Sequence, residues 1–439
     1  MSERPLEFVC HACQSRVAAR DEPFACPRRG EDDADHVLEK RFPATFDGGF
    51  ERVVDPTRNN PFLRYRRLLT SYAIVDDDAR FVELVTRLDD AVASVDGGGF
   101  RVSPLATETA LGNALGRRAA LWVKDETHNV AGSHKARHLM GILLYLEALG
   151  VAREHPLAIA SCGNAALAAA VVARAARRPL SVYLPPSASP TVLDRLRALD
   201  ARIEICPRFP GTSGDPCYHG FQRALREGAI PFCCTGPDNA LTIEGGETLG
   251  FELAEGMRTR GVPHHLLIQV GGGALASAVT QALFRAHRWG WIEQPPKIDP
   301  VQTRGAWPLP RAFERVVELL AASGDDRGSA SDALEAIVRR RSSWMWAWED
   351  EPQSIAHGIL DDETYDGWQT ILGTLRSGGR PLIVEESDLH SAYQLAQLNT
   401  TIRASHTGVA GLAGLLALER EQALRRDETV CLLFTGIER

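Results

Sequence analysis

Lysine is scarce in this chain: of its 49 basic residues, only Lys40, Lys124, Lys135 and Lys297 are lysines. Arginine fills almost every place where a generic cation suffices. Arginine stays charged and cannot form a Schiff base, whereas a lysine with a lowered pKa can. Amine chemistry is therefore confined to four candidates. Long basic runs are also missing, and the net charge of -8 argues against nucleic acid as a partner. No apolar stretch approaches the length of a membrane span, and the opening MSERPLEFVC has no apolar core of a secretory signal. These absences predict no membrane association and a cytoplasmic location. The nine cysteines are mostly single and scattered, which fits a reducing compartment better than a disulfide framework.

A chain of 439 residues is too long for one compact core, so two domains are expected. From Ser103 onward, short apolar runs alternate with helical stretches. The runs are Leu121–Val123, Leu157–Ala160, Ser181–Leu184, Arg202–Ile205, Leu266–Val270, Leu382–Val384 and Val430–Phe434. Continuous apolar strands are buried on both faces of a parallel sheet, and their alternation with helices predicts an α/β fold. The polar run Ala321–Asp332 reads as a loop between helices. Trp344, Trp346 and Trp348 alternate, which in an extended segment places them on one side, for packing or a subunit contact rather than a substrate wall.

Three turns carry chemistry. Glu126–His138 (ETHNVAGSHKARH) follows one strand and opens a helix whose apolar residues Leu139, Ile142, Leu143, Leu146 and Leu149 recur at helical spacing, with Gly150 as its stop. Gly132 and Ser133 read as its turn and cap. Lys135 then lies in the first turn, where the helix dipole disfavours a cation. SCGNAA (Ser161–Ala166) joins a strand to an alanine-rich helix and offers backbone N–H groups and the Asn164 amide to a polar ligand. The alternative is a capping turn with Ser161 or Asn164 as N-cap. GGGAL (Gly271–Leu275) leaves bare backbone to close around a phosphate. The spacing Gly271-x-Gly273-x-x-Ala276 also matches a loose dinucleotide fingerprint, with Glu293 at the right distance but out of place for a strand end. A dinucleotide-dependent oxidoreductase rests on that alone. A reactive lysine, a polar turn and a phosphate turn together fit pyridoxal 5'-phosphate.

At the N-terminus, Cys10-x-x-Cys13 is followed by Cys26-Pro-Arg-Arg. Arg29 stands where a zinc ribbon would place its fourth cysteine, so the four-ligand count is not met, and His11 or His36 would have to substitute. No metal is expected; the segment reads as a degenerate ribbon or packing arm.

In order, SPLATE (103–108), KDETHNVAGSHKAR (124–137), SCGNAA, GGGAL, QSIAHGI (353–359) and FTG (434–436) resemble the tryptophan synthase β-like superfamily of pyridoxal-phosphate enzymes, specifically its threonine synthase and threonine dehydratase branch. The resemblance implies two three-layer α/β domains with mostly parallel sheets and the cofactor between them. Its boundaries are a ribbon-like arm at 1–45, a large cofactor-binding domain from 46–154 plus 236–439, and a small mobile domain at 155–235. It implies that Lys135 forms the internal aldimine and acts as base. Asn164 would bind the ring oxygen, Gly271, Gly272, Gly273 and Ala274 the phosphate, and Thr435 the pyridine nitrogen. Ser161, Cys162 and Gly163 would line the site for the substrate carboxylate. The implied reaction is β-elimination or replacement on a small amino acid through an aminoacrylate-type intermediate, by a homodimer. Ala136, His134 and the stretch Arg208–Gly220 depart from a threonine synthase, leaving open a dehydratase, a threonine synthase on phosphohomoserine, or a catalytically silent cofactor binder.

Overall fold

The computed structural model describes residues 6–209, 214–322 and 327–438, apart from the side chains of 327–330. Three sheets organise the chain. β1 (Glu7–Cys10), β2 (Arg16–Ala18) and β3 (Leu38–Arg41) form an antiparallel N-terminal sheet in the order β2-β1-β3. β4 (Leu105–Thr107) and β5 (Leu121–Asp125) enter the main sheet, and β6 (Leu157–Ala160), β7 (Leu180–Leu184), β8 (Arg202–Ile205) and β9 (Ile230–Pro231) make a second. β10 (His265–Gln269), β11 (Lys297–Thr303), β12 (Leu382–Val384) and β13 (Val430–Phe434) complete the main one.

The main sheet runs β12-β11-β10-β13-β5-β4, parallel except for the edge strand β4. Every residue of β5, β10 and β13 is buried, as expected for strands covered by helices on both faces. The second sheet, β8-β7-β6-β9, is wholly parallel. Both are α/β sheets, as the alternation predicts.

The seven expected strands all form, with ends shifted by two residues at most. β11 escapes the sequence pattern, because Lys297, Asp299 and Pro300 interrupt its apolar run. Proline is tolerated there because β12 pairs only from Val301 onward, so no donor is missed on that side. Asp299 is buried but accepts from His265 Nδ1 at 2.6 Å and from the Arg380 amide at 2.9 Å. The expected loop at 321–332 is corrected: a helix runs Arg327–Val338, while 323–326 lie outside the described residues. The tryptophans do not share a side. Trp344 is buried, packs on Trp368 and donates to Ile337 O. Trp346 is exposed beneath Arg311, and Trp348 meets Trp307 edge-on.

The helix Lys135–Leu149 is buried from Ala136 to Leu146 and ends at Gly150 in the left-handed conformation, φ 78°. It crosses the helix Leu241–Arg260 with backbone against backbone. A Cβ on Gly245 would lie 2.2 Å from Arg137 O, and one on Gly141 would lie 2.7 Å from Gly245 Cα. No side chain fits between them.

Candidate active site

β10, β13 and β5 are adjacent and parallel. The turns that leave their carboxyl ends therefore lie side by side, where open α/β sheets bind ligands. These turns are Gly271–Gly273, Thr435–Gly436 and Glu126–His134.

The four lysines separate cleanly. Lys124 Nζ is buried against Glu252 Oε2 at 2.5 Å and Ser103 O at 2.6 Å. Lys40 Nζ is buried between Glu244 and Glu247, each at 2.9 Å; burial pulls it down to about 8, with Glu244 opposing. Lys297 is exposed at the start of β11. Lys135 is half-buried in the first turn of its helix, and its charge is felt by Asp361, Asp366, His134, His138 and Cys234. Ser133 is not the expected cap: His134 takes the N-cap position without a side-chain bond, and the Ser133 hydroxyl is buried with no partner among the described residues. His134 Nδ1 faces Thr435 O at 3.1 Å, and burial, reinforced by Lys135, keeps the imidazole neutral.

What seats Lys135 is a buried four-charge cluster. Arg137 Nε and Nη2 donate to the two oxygens of Glu126 at 2.8 and 2.9 Å, and Nη1 donates to Glu252 Oε1 at 2.6 Å. Lys124 balances Glu252. Burial pushes the Glu126 carboxyl up, but Arg137 outweighs it and holds the group below its ordinary value.

The glycine turn caps the helix Ala274–Arg288 through Gly273, at φ 94°, with no side-chain cap. Gly271 and Gly272 are half-buried. One carboxylate already uses this turn: Asp361 accepts from the Gly272 amide, and burial pushes it up to about 6. The turn therefore takes an anion. Residues 361–366 (DDETYD) cover it, since side chains on Gly271, Gly272 and Gly273 would meet Asp361, Tyr365 and Thr364. The Asp366 amide donates to Gly272 O at 2.8 Å, and its carboxylate accepts from the Gly236 amide at 3.0 Å; burial raises it to about 7.

Gly163 is the N-cap of the helix Asn164–Ala175, without a side-chain cap, so neither Ser161 nor Asn164 caps it. Ser161 Oγ accepts weakly from the Gly163 amide at 3.4 Å, and Cys162 is exposed. Asn164 reaches the main sheet: a Cβ on Gly436 would lie 2.7 Å from its Nδ2. Gly436 also bridges Ser133. Thr435 is buried, and its Oγ1 lies 2.6 Å from Gln269 Nε2. The carbonyls of Gly408, Leu433 and Thr407 surround the same amide nitrogen, which fixes its orientation. Gln269 therefore donates to Thr435, and the threonine keeps its own proton to donate.

Lys135, Asn164, Gly271–Ala274 and Thr435 thus converge, with Ser161–Gly163 at the rim. Sequence reasoning missed Gln269 and residues 361–366. The acidic run directly after QSIAHGI was the available signal for the latter.

A lysine at a helix start, two helix N-termini without side-chain caps and a donor hydroxyl describe an enzyme that holds a phosphorylated aldehyde cofactor, with Asp361 on the glycine turn that would take the phosphate. The chain belongs to the pyridoxal-phosphate dependent enzymes, whose family profile matches residues 98–436. It is 31% identical over 337 residues to a serine dehydratase-like protein of Rattus norvegicus, covering 70% of this chain and 95% of that one. A threonine synthase of Methanocaldococcus jannaschii is 23% identical over 365 residues, covering 81% and 79%. A threonine deaminase from T.th. superposes with a TM-score of 0.58 at 23% identity, covering 81% of this chain and 98% of that one.

Proposed function

We propose that this protein is a pyridoxal-phosphate dependent lyase that eliminates the β-hydroxyl of serine or threonine, giving a 2-oxo acid and ammonia. Bound in the cleft, the cofactor would supply an electron sink for the carbanion formed at the substrate α-carbon. In this reading Gly271–Ala274 hold the phosphate, Asn164 the ring oxygen, and Ser161–Gly163 the substrate carboxylate. Lys135 would hold the cofactor and would be the base for the substrate α-proton. Its neighbours His134 and His138 are kept neutral by burial, His138 down to about 3, so they add no positive charge beside the amine. Thr435, with its own proton free to donate, would face the pyridine nitrogen; a hydroxyl there would hydrogen-bond the ring without protonating it, a setting that suits elimination.

The observation that carries the choice of substrate is the acidic rim. After burial, Asp362 and Asp215 raise the pKa of Asp361 and Asp215 raises that of Asp362, with Arg208 as the cation opposing at Asp362. Such a rim repels a second phosphate and so disfavours phosphohomoserine. The 95% coverage of the serine dehydratase-like relative supports the same reading. We further take 155–235 to be a mobile small domain closing on 46–154 plus 236–439, in a cytoplasmic homodimer. The separate sheet β6–β9, the nine free cysteines and the frequency of twofold assemblies support this.

The test is a panel of serine, threonine and phosphohomoserine given to the purified, cofactor-loaded protein. Release of 2-oxo acid from serine or threonine is expected. Phosphate release from phosphohomoserine alone would make it a threonine synthase, and no reaction with any would make it a silent binder. Borohydride should fix the cofactor to Lys135, and Lys135→Ala should abolish the label.

A further inference from the structure

The fourth ligand missing from the N-terminal cysteine pattern is supplied by the fold. Cys10, at the end of β1, and Cys13 lie on one turn, Cys26 on a second, and His36 on the strand approach to β3. Their ligand atoms all lie within 4.8 Å of one another. Cys10 Sγ and Cys26 Sγ are 3.6 and 3.5 Å from His36 Nδ1, and Cys13 Sγ is 3.6 Å from Cys26 Sγ. Tetrahedral zinc at its usual bond lengths separates two sulfurs by about 3.8 Å and a sulfur from a nitrogen by about 3.5 Å. The three close pairs match these separations, and all four ligand atoms lie near enough to share one ion.

The surroundings fit a cation held by thiolates. Backbone amides of Ala12 and Cys13 address the Cys10 sulfur, that of Ser15 addresses Cys13, and that of Arg28 addresses Cys26. The other ring nitrogen of His36 is 2.8 Å from Asp32 Oδ1. A carboxylate behind a ligating histidine fixes its tautomer and strengthens its donor nitrogen. His11, the alternative substitute, is turned away to Asp35 at 3.0 Å. Arg29, in the vacated cysteine position, instead donates to Asp238 Oδ1 at 2.6 Å, to Pro237 O at 2.7 Å and to the Tyr218 hydroxyl at 2.9 Å.

We propose that Cys10, Cys13, Cys26 and His36 form a structural zinc site, closed to substrate, that anchors the segment 235–240 beside the lysine. Binding releases the thiol protons to solvent and leaves three thiolates and a neutral imidazole on one Zn²⁺. The ion fixes the Cys26 turn, which carries Arg29. That turn holds Asp238, and the Ala240 amide donates to Phe24 O at 2.8 Å. Cys234, next to this segment, faces Lys135, and the amide of Gly236, within it, donates to Asp366.

The experiment is metal analysis of the full-length protein after zinc supplementation and dialysis, with cobalt as a spectroscopic probe. We expect about one zinc per chain, a thiolate-to-cobalt charge-transfer band, and loss of both in Cys26→Ser and His36→Ala. If those variants do not fold, Asp32→Asn keeps all four ligands. It should release zinc to a chelator about 10- to 100-fold more readily than wild type. Wild type with little zinc and its cysteines titrating as free thiols would overturn the proposal. So would a Cys13–Cys26 disulfide, or metal retained equally in His36→Ala.

Discussion

Replacing Arg137 with methionine takes one positive charge from a cluster that is at most 1% exposed at every charged side chain. Two cations face two carboxylates in the native protein; the variant leaves Lys124 alone against Glu126 and Glu252. Removing one partner of a buried ion pair costs about 3–5 kcal/mol, and that is the expected loss of stability at pH 8. The penalty has a pH signature. With Arg137 present, Glu126 is held below its ordinary value, so its contribution is complete above about pH 4.3 and is lost on further acidification. Without Arg137, burial outweighs the remaining cation and the carboxyl rises above its ordinary value, at about 1.4 kcal/mol for each pH unit of the rise. The variant then takes up a proton on folding, and its deficit shrinks as pH falls from 8 toward 5. Urea denaturation followed by tryptophan fluorescence at these two pH values measures both quantities. Arg137→Met/Glu126→Gln restores charge balance through Lys124 and Glu252 and should recover part of the loss. A deficit below about 1 kcal/mol, or one that does not change with pH, would refute the reasoning.

Asp361→Asn removes the carboxylate that now occupies the Gly272 amide, and should tighten cofactor binding to the apo-protein roughly tenfold, about 1.4 kcal/mol. In a fluorescence titration the advantage over wild type should be greatest at pH 8. It should close as pH falls through about 6, where Asp361 itself becomes protonated. Gln269→Glu converts the donor that faces Thr435 into an acceptor and turns the hydroxyl away from the cleft. Turnover of serine should drop by at least about tenfold, accompanied by a loss of thermal stability, because the new carboxylate faces the carbonyls of Thr407, Gly408 and Leu433. Gly245→Ala drives a methyl group into Arg137 O, and should cost about 3 kcal/mol in urea denaturation while leaving the zinc content unchanged.

Much of this site was legible in the sequence because it is local. A lysine two residues before an arginine in a helix start, three consecutive glycines and an SCGN turn each carry their chemistry within a few residues. The seven buried strands were legible because parallel strands are uniformly apolar. β11 was not, since its polar residues are satisfied only by partners far along the chain: His265 and Arg380 for Asp299. For the same reason nothing near Gln269 indicated that it would fix the proton of Thr435, 166 residues away. His36 was named beside His11 as a substitute ligand, but spacing could not choose between them, because His36 is brought to the cysteines by the pairing of β3 with β1 and not by the spacing of a knuckle. Residues 361–366 were passed over because an acidic run suggests a solvated loop, whereas Asp361 and Asp366 lie in the cleft.

The crossing at Gly141 and Gly245 gives Lys135 a particular mechanical setting. Side-chain layers between helices absorb small displacements by changing rotamer, and here that cushion is absent. The helices Lys135–Leu149 and Leu241–Arg260 should tilt and shift as a single bar. One end of that bar carries Lys135. Further along it, Glu244 and Glu247 grip Lys40 of the N-terminal sheet. A displacement of that sheet would reach Lys135 almost undamped, so in the proposed role of that lysine the precision of proton abstraction would depend on how firmly the N-terminal arm is seated.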